Sequence, residues 1–407
     1  MKVAGIIAEF NPFHKGHTLP IIEARRTVGE TGHIVCIMSG NCVQRGDLAV
    51  FHKKARAQAA IRCGADLVIE LPASYVLGSA EKFARGGVAL LASFGIEDVY
   101  LAFGCETADA VALREIAREL DTSETGAKIK AGMAEGLPYG TACQQALKVT
   151  NMQADLLQTP NNLLAIEYLR AIHRLGAHIK PLPIKRQGVS HDSETARDGY
   201  ASASHLRTLF HGGKAEEVWD YMPEAAAEIF RRELVLGRGP AETVQLEQTI
   251  LTLLRLGRTP DGGYLDDSEG LSKRITNIAA ETATLEELLQ AVKTKRYHLS
   301  RIRRLILGMC LGLSPTDRPQ IPPYIRPLAA SENGQTLLRQ ITKTATLPIL
   351  SRAGQVKKLD SATQRVFAIE SAVTDLQALC FRTEEHRRGG SEWRSTIFVG
   401  ADSISPG

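Results

Sequence analysis

The sequence predicts an α/β fold: a parallel sheet with covering helices over residues 1–210, followed by a mostly helical C-terminal domain over residues 211–407. Three observations lead there. Short apolar runs of strand length alternate with stretches of helical spacing through the first half, the pattern of a parallel sheet with crossover helices. The first four runs close on polar, glycine or proline turns. Beyond about residue 210, Leu, Arg, Glu and Ala recur at helical spacing with few β-branched runs.

The elements follow in order. A first strand is expected over residues 3–8, then the turn Glu9-Phe10-Asn11-Pro12-Phe13 and a helix through Leu19, Ile21, Ile22 and Ala24 that stops at Gly29. Residues 33–38 form a second strand ending at Ser39-Gly40, and a helix through Lys54, Ala57, Ala60 and Ile61 follows. Residues 65–70 are a third strand, residues 80–94 a helix, and residues 98–103 a fourth strand ending at Gly104. Residues 163–175 read as helix and 179–184 as extended chain. In the second half, residues 244–256 and 285–292 carry clear helical periodicity. The polar stretch His386-Arg387-Arg388-Gly389-Gly390-Ser391 is expected to be loosely ordered, and the tail beyond Val399 mobile.

Composition narrows the class. A chain of 407 residues exceeds one ordinary core, so two domains are expected. No run of about 20 apolar residues could span a bilayer. The chain opens on a strand rather than a basic and then apolar leader, so no signal peptide is expected. Seven scattered cysteines, none in a CxxC pair, argue for a reducing cytoplasm and against a disulfide framework or structural zinc. A formal charge of +4 matters only where it is clustered. No obligate protein partner is evident.

Two segments carry chemistry. His14-Lys15-Gly16-His17 lies between the first strand and its helix. A helix start offers unpaired N–H groups and partial positive charge to a phosphate. Gly16 lets a phosphate or a ring approach the backbone, and two imidazoles three residues apart share one face of a helical turn. Both could donate to phosphate oxygens as charge moves onto a leaving group. A His-x-x-His pair without nearby Cys or acids does not complete a metal ligand set, so no protein-held metal is expected. The alternative of two unrelated histidines in a βα turn stays open. The second segment is Tyr200-Ala201-Ser202-Ala203-Ser204-His205-Leu206-Arg207. Ser202 or Ser204 can cap a helix, with Arg207 about one turn on, making a second anion clamp. A plain cap with a surface arginine is its alternative.

Residues 291–316 contain no Asp or Glu but hold Lys293, Lys295, Arg296, Arg301, Arg303 and Arg304, with Tyr297 and His298 between them. Leu299, Ile302, Leu305, Ile306 and Met309 give the same segment an apolar face. One face therefore packs while the other is cationic, which suits an RNA backbone and an unstacked base. A merely solvated helix face is the other reading.

On longer motifs the chain resembles the bacterial tRNA(Met) cytidine acetate ligase family, within the HxGH nucleotidylyl-transferase superfamily. The matching segments are Glu9-Phe10-Asn11-Pro12-Phe13-His14-Lys15-Gly16-His17, Met38-Ser39-Gly40-Asn41-Cys42-Val43-Gln44-Arg45-Gly46-Asp47, Gly64-Ala65-Asp66-Leu67-Val68-Ile69-Glu70-Leu71-Pro72, Thr159-Pro160-Asn161-Asn162-Leu163-Leu164-Ala165-Ile166-Glu167-Tyr168, and Ile184-Lys185-Arg186. The resemblance implies a Rossmann-like nucleotidylyl-transferase domain followed by a helical tRNA-binding domain. It implies that acetate and ATP form acetyl-adenylate and pyrophosphate, with Mg²⁺ accompanying ATP. The acetyl group then moves to N4 of the wobble cytidine of elongator tRNA(Met).

By the same resemblance ATP lies on Ile7, Ala8, Glu9, Phe10, Asn11, Pro12, Phe13, His14, Lys15, Gly16, His17, Thr18, Leu19 and Pro20, completed by Gly104, Asn162 and Arg186. His14, His17, Ser204 and Arg207 are the implied catalytic residues. Cys42 and Cys105 depart from the family pattern near the sheet edge and bear on the acyl pocket. Two rival functions share the motif: a small-molecule adenylyltransferase, and an RNA-binding protein that kept the fold without the reaction.

Overall fold

The computed structural model of the chain describes residues 1–137, 139–148, 156–157, 159–185, 200–294 and 296–400, so Arg186 and Lys295 lie outside the described residues. Seven strands form one sheet: β1 (Lys2–Ala8), β2 (His33–Ser39), β3 (Leu67–Leu71), β4 (Asp98–Cys105), β5 (Ile179–Lys185), β6 (Pro327–Ala330) and β7 (Phe398–Val399). Their order is β5-β4-β1-β2-β3-β6-β7. The first five strands pair in parallel, with Val3 opposite both His33 and Val99. All seven residues of β2 are buried, as a parallel strand covered on both faces requires.

Alternation in β2 sorts its side chains into two cores. Val35 and Ile37 join one cluster, with Phe83, Leu91, Ile166 and Leu169 from the Ala80–Ala92 and Pro160–Arg174 helices. Ile34, Cys36 and Met38 join the other, with Ile21, Ala24, Ala57 and Ala60 from the Thr18–Val28 and Lys53–Arg62 helices.

The second half is mainly helical but not separate from the sheet. β6 runs antiparallel beside β3, and β7 continues from β6. Ile229 and Phe230 of the Glu224–Val235 helix pack into the same core as Leu206 and Phe210, on either side of residue 210. On the opposite face, Ile302 and Leu305 of the Leu299–Cys310 helix share a core with β2.

One expectation needs correction. The stretch from His386 to Ser391 is held in place: Gly390 N–H donates to Asp375 Oδ1 at 2.8 Å and Arg387 Nε to Phe381 O at 2.6 Å. Glu392 beside it is 1% exposed and ion-paired to Arg326 at 2.7 Å and Lys53 at 2.9 Å. A polar, glycine-bearing string looks loose only because its buried partners are far away in sequence. Residues 401–407 of the tail are outside the described residues. Among the described residues no helix is long and apolar enough to cross a membrane.

Candidate active site

Strand order fixes where the site falls. The chain moves from β1 through β2 to β3 in one direction, while β4 and β5 lie on the other side of β1. The carboxyl ends of β1 and β4 therefore flank a topological switch point, where open α/β sheets take their ligands. A cavity of about 680 Å³ opens there.

A buried arginine shapes the sheet edge. The Arg56 guanidinium donates to the carbonyls of Glu9, Gly40, Ser39 at 3.2 Å and Phe51 at 3.0 Å. It thus ties the turn after β1 to the end of β2. Burial lowers its pKa to about 10, which still leaves it charged at neutral pH. Asn11 Oδ1 accepts from Val50 N–H at 2.8 Å, and Glu9 Oε1 accepts from Gln44 N–H at 2.6 Å. Phe10 adopts φ 48°, a left-handed conformation unusual for a bulky residue, with its ring 1% exposed. The Phe10 ring packs 4.9 Å from Phe13 and 5.1 Å from His17.

The two histidines are wired by backbone. His14 Nδ1 accepts from Gly16 N–H at 3.0 Å, and His17 Nδ1 accepts from His14 N–H at 3.2 Å. An imidazole accepting at Nδ1 keeps its proton on Nε2 when neutral, so each ring presents Nε2–H as a donor. The rings lie 4.0 Å apart. Gly16 has a steric requirement of its own: a Cβ there would stand 2.8 Å from His14 Cε1.

The sequence-predicted nucleotide residues divide into wall and frame. Ile7, Ala8, Glu9, Phe10, Asn11, Gly16, His17, Leu19, Pro20 and Gly104 line the cavity. Pro12, Phe13, His14, Lys15 and Thr18 stand outside that lining. Lys15 instead donates to Asp220 O at 2.6 Å, and Thr18 Oγ1 to Lys15 O at 2.7 Å. Asn162 is also a frame residue. Its Oδ1 accepts from Glu106 N–H at 3.0 Å and Thr107 N–H at 3.2 Å, bracing the turn after β4, and its neighbour Asn161 is on the wall.

The second segment forms the facing wall. Ser202 is the cap of the Ala203–His211 helix, its Oγ accepting from His205 N–H at 3.1 Å. Ser204 and Arg207 line the cavity. Arg207 Nη1 donates to Asn11 O at 2.9 Å, so this segment is anchored on the turn between β1 and the HxGH residues. Arg45 and Asp47 after β2 and His211 and Glu242 from the later chain also stand on the wall, with no role given to them by the sequence, and so does Arg303 of the basic segment, expected there as an RNA contact. His211 had a signal, since it follows Ser204 by seven residues on one helix face.

The basic segment meets the cavity from the other side. Ile302, Leu305, Ile306 and Met309 are buried as expected. Arg303 lines the cavity and pairs with Asp47 at 3.4 Å, and Arg304 Nη1 donates to Gln44 O at 3.1 Å. A Cβ on Gly46, which has φ +83°, would collide with the Arg304 backbone N at 2.3 Å. The cationic face is not uninterrupted: Arg296 pairs with Glu269, and Arg301 donates to Ser268 Oγ at 2.6 Å while stacking on Tyr297. Lys293 is exposed. Among the described residues no three His, Cys, Asp or Glu side chains converge to hold a metal ion.

Fold and site together define a nucleotidyl transferase of the HxGH class, and the HIGH Nucleotidyl Transferase family matches residues 1–392. A tRNA(Met) cytidine acetate ligase of Acetivibrio thermocellus is 34% identical over 98% of this chain and 100% of its own length. One of Caldanaerobacter subterraneus subsp. tengcongensis is 36% identical over 94% of this chain and 96% of its own. Thermotoga maritima TmcAL, in its apo crystal form I, superposes with a TM-score of 0.91 at 30% identity, covering 98% of this chain and 99% of that one. Its complex with alpha-thio ATP gives 0.89 over the same coverage. The chain belongs to the tRNA(Met) cytidine acetate ligase family.

Proposed function

We propose that this protein is an ATP-dependent ligase that activates acetate as acetyl-adenylate and transfers the acetyl group to N4 of the wobble cytidine of elongator tRNA(Met), in the cytoplasm. The observation that carries the reading is the Arg207 contact to Asn11 O, which joins the two anion-binding segments across one cavity at the sheet edge. Acetate is ionised at neutral pH, so the first step needs no base. A carboxylate oxygen attacks the α-phosphorus in line, the bond from the α-phosphorus to the oxygen bridging to the β-phosphate breaks, and pyrophosphate departs with that electron pair while the AMP moiety stays on acetate. The residues' work is alignment and neutralisation of the departing pyrophosphate. His17, Ser204 and Arg207 would meet phosphate oxygens, and His14 would hold Gly16 N–H and the His17 ring in register. Mg²⁺ would ride on ATP phosphates and water, since no protein cluster offers it a site among the described residues. Residues 211–407 would present the tRNA surface, with Arg303 on the cavity wall, Arg304 bonded to Gln44 of that wall, and Arg296 and Arg301 farther along the same basic segment.

The test is one incubation of the protein with ATP, Mg²⁺, labelled acetate and unmodified elongator tRNA(Met), followed by nucleoside mass spectrometry. Labelled N4-acetylcytidine is expected, falling by about 100-fold or more in His17→Ala, as loss of one transition-state donor commonly gives. AMP and pyrophosphate without label in RNA would redirect the reading to the small-molecule adenylyltransferase. Absence of ATP turnover would favour the RNA-binding relative.

A further inference from the structure

The adenylation step uses only the first turn of one helix face on the cavity wall and leaves its far end, Thr208 and His211, without a role. Ser204, Arg207, Thr208 and His211 follow the i, i+3, i+4, i+7 pattern and line the cavity together from one helix face. Arg207 reaches the HxGH turn, so His211 stands one helical turn beyond the phosphate end. Its Nδ1 lies 3.5 Å from Glu242 Oε2. Glu242 is itself fixed at a helix start, where its carboxylate accepts from the Gln245 backbone and its own N–H donates to Gln245 Oε1 at 2.9 Å. Burial lowers the His211 pKa; Glu242 and Asp47 raise it and Arg207 lowers it, and the balance stays below the ordinary histidine value. The ring is therefore neutral at pH 7.

The transfer step needs what the activation step does not. A cytosine amine is conjugated with its ring, and the nitrogen becomes cationic as it bonds to the acetyl carbon. It must lose a proton, whereas AMP is a good leaving group without one. Other wall carboxylates are engaged: Glu9 accepts from Gln44 N–H, and Asp47 pairs with Arg303. Arg303 belongs to the basic helix, pairs with Asp47 and lines the same cavity as His211, so the basic helix and His211 share one cavity wall.

We infer that His211 accepts the N4 proton during acetyl transfer, with Glu242 orienting its ring. This rests on the ligase reading above. The N4–acetyl carbon bond forms, the acetyl carbon–phosphate oxygen bond breaks with its electron pair going to AMP, and the proton moves from N4 to His211 Nε2 and on to solvent.

The test separates two half-reactions in the full-length protein: acetate-dependent ATP–pyrophosphate exchange without tRNA, and single-turnover transfer from preformed acetyl-adenylate to tRNA across pH. His211→Gln is expected to slow transfer about 100-fold more than exchange, in the range a general base supplies, and to abolish the rise of transfer rate with pH. Glu242→Gln removes a charge that raises the histidine pKa, so the same rise should persist but move to lower pH. Transfer by His211→Gln at the wild-type rate, or a parallel fall of both half-reactions, would overturn the assignment while leaving the ligase reading intact. Wild-type protein with neither exchange nor transfer would overturn the ligase reading, and this assignment with it.

Discussion

A single hydrogen atom decides how the HxGH turn can be built. Gly16 stands where any Cβ would sit 2.8 Å from the His14 ring, and that ring holds the Gly16 N–H. Gly16→Ala must push His14 aside, and His14 carries the N–H that positions His17. Misplacement of about 1 Å costs roughly 100-fold in a positioned reaction. Gly16→Ala should therefore lower acetate-dependent pyrophosphate exchange by about that factor, with the thermal unfolding midpoint little changed because the turn is at the surface edge of the sheet. Exchange at the wild-type rate would show that the His14 ring can yield. The four motif residues were legible in the sequence, since strand, turn and helix signals bracket them. Their division of labour was not. Spacing puts both imidazoles on one face; in the structure each ring accepts a backbone N–H at Nδ1, and His17 lines the cavity while His14 stands outside that lining. Asn162 has a role that its type and spacing do not announce: two backbone N–H groups of the turn after β4 donate to its side-chain oxygen.

At the scale of elements, four of the five parallel strands are readable because each is an apolar run with a marked end, while β5, with two lysines and two prolines, reads only as extended chain. β6 and β7 were not, because four and two residues carry no period, and their place comes from pairing with β3 and with each other. The basic segment was read correctly as a helix with an apolar face, yet its acids arrive from elsewhere: Glu269 at Arg296 and Asp47 at Arg303. That changes the expected size of its RNA contribution. Each phosphate neutralised adds about 0.9 to the slope of log affinity against log salt for a duplex and about 0.7 for a single strand. Arg301 can reach a phosphate directly, but Arg296 must first leave Glu269. Arg296→Ala with Arg301→Ala should weaken tRNA binding and reduce the slope by about 1 rather than 2, leaving ATP affinity alone. Filter binding at several salt concentrations reads this, and unchanged affinity at low salt would remove the segment from the tRNA surface.

At the scale of the whole molecule, the last described residues hold the first ones. Glu70 on β3, Lys53 at a helix start, Arg326 beside β6, and Glu370 and Glu392 from the end of the chain form one buried group. Lys53 Nζ lies 2.5 Å from Glu70 and 2.9 Å from Glu392, and Arg326 lies 2.7 Å from Glu392. Glu370 Oε1 accepts from Ala73 N–H at 2.6 Å. Thr374 and Gln377, on the same helix as Glu370, bond Asn41 at 3.0 Å and Ala49 O at 2.6 Å, so this cluster also backs the loop whose Arg45 and Asp47 line the cavity. Two cations face three carboxylates, and charge balances when one carboxyl keeps its proton. Burial, then the Glu70 charge, raise the Glu370 pKa well above the usual value, which points to Glu370 for that proton. Burial also opposes ionisation of Glu392, but Lys53 and Arg326 outweigh it and hold its pKa at about 2. The two groups act on stability with opposite sign. The Glu392 contribution is complete above its unfolded value near 4.3 and is lost as pH falls from there toward about 2. The Glu370 contribution is complete below that same unfolded value and declines as pH rises toward its folded pKa. Glu392→Gln leaves Lys53 and Arg326 short of a charge and should cost about 3–5 kcal/mol at pH 7, with less further loss on acidification. Glu370→Gln keeps the carbonyl for Ala73 without an ionisation cost, so its stability should fall less than wild type between pH 5 and pH 8. Urea unfolding of the three proteins at pH 3, 5, 7 and 8 measures both slopes. A Glu370→Gln curve parallel to wild type would mean that Glu370 is ionised in the fold and that the cluster carries net negative charge.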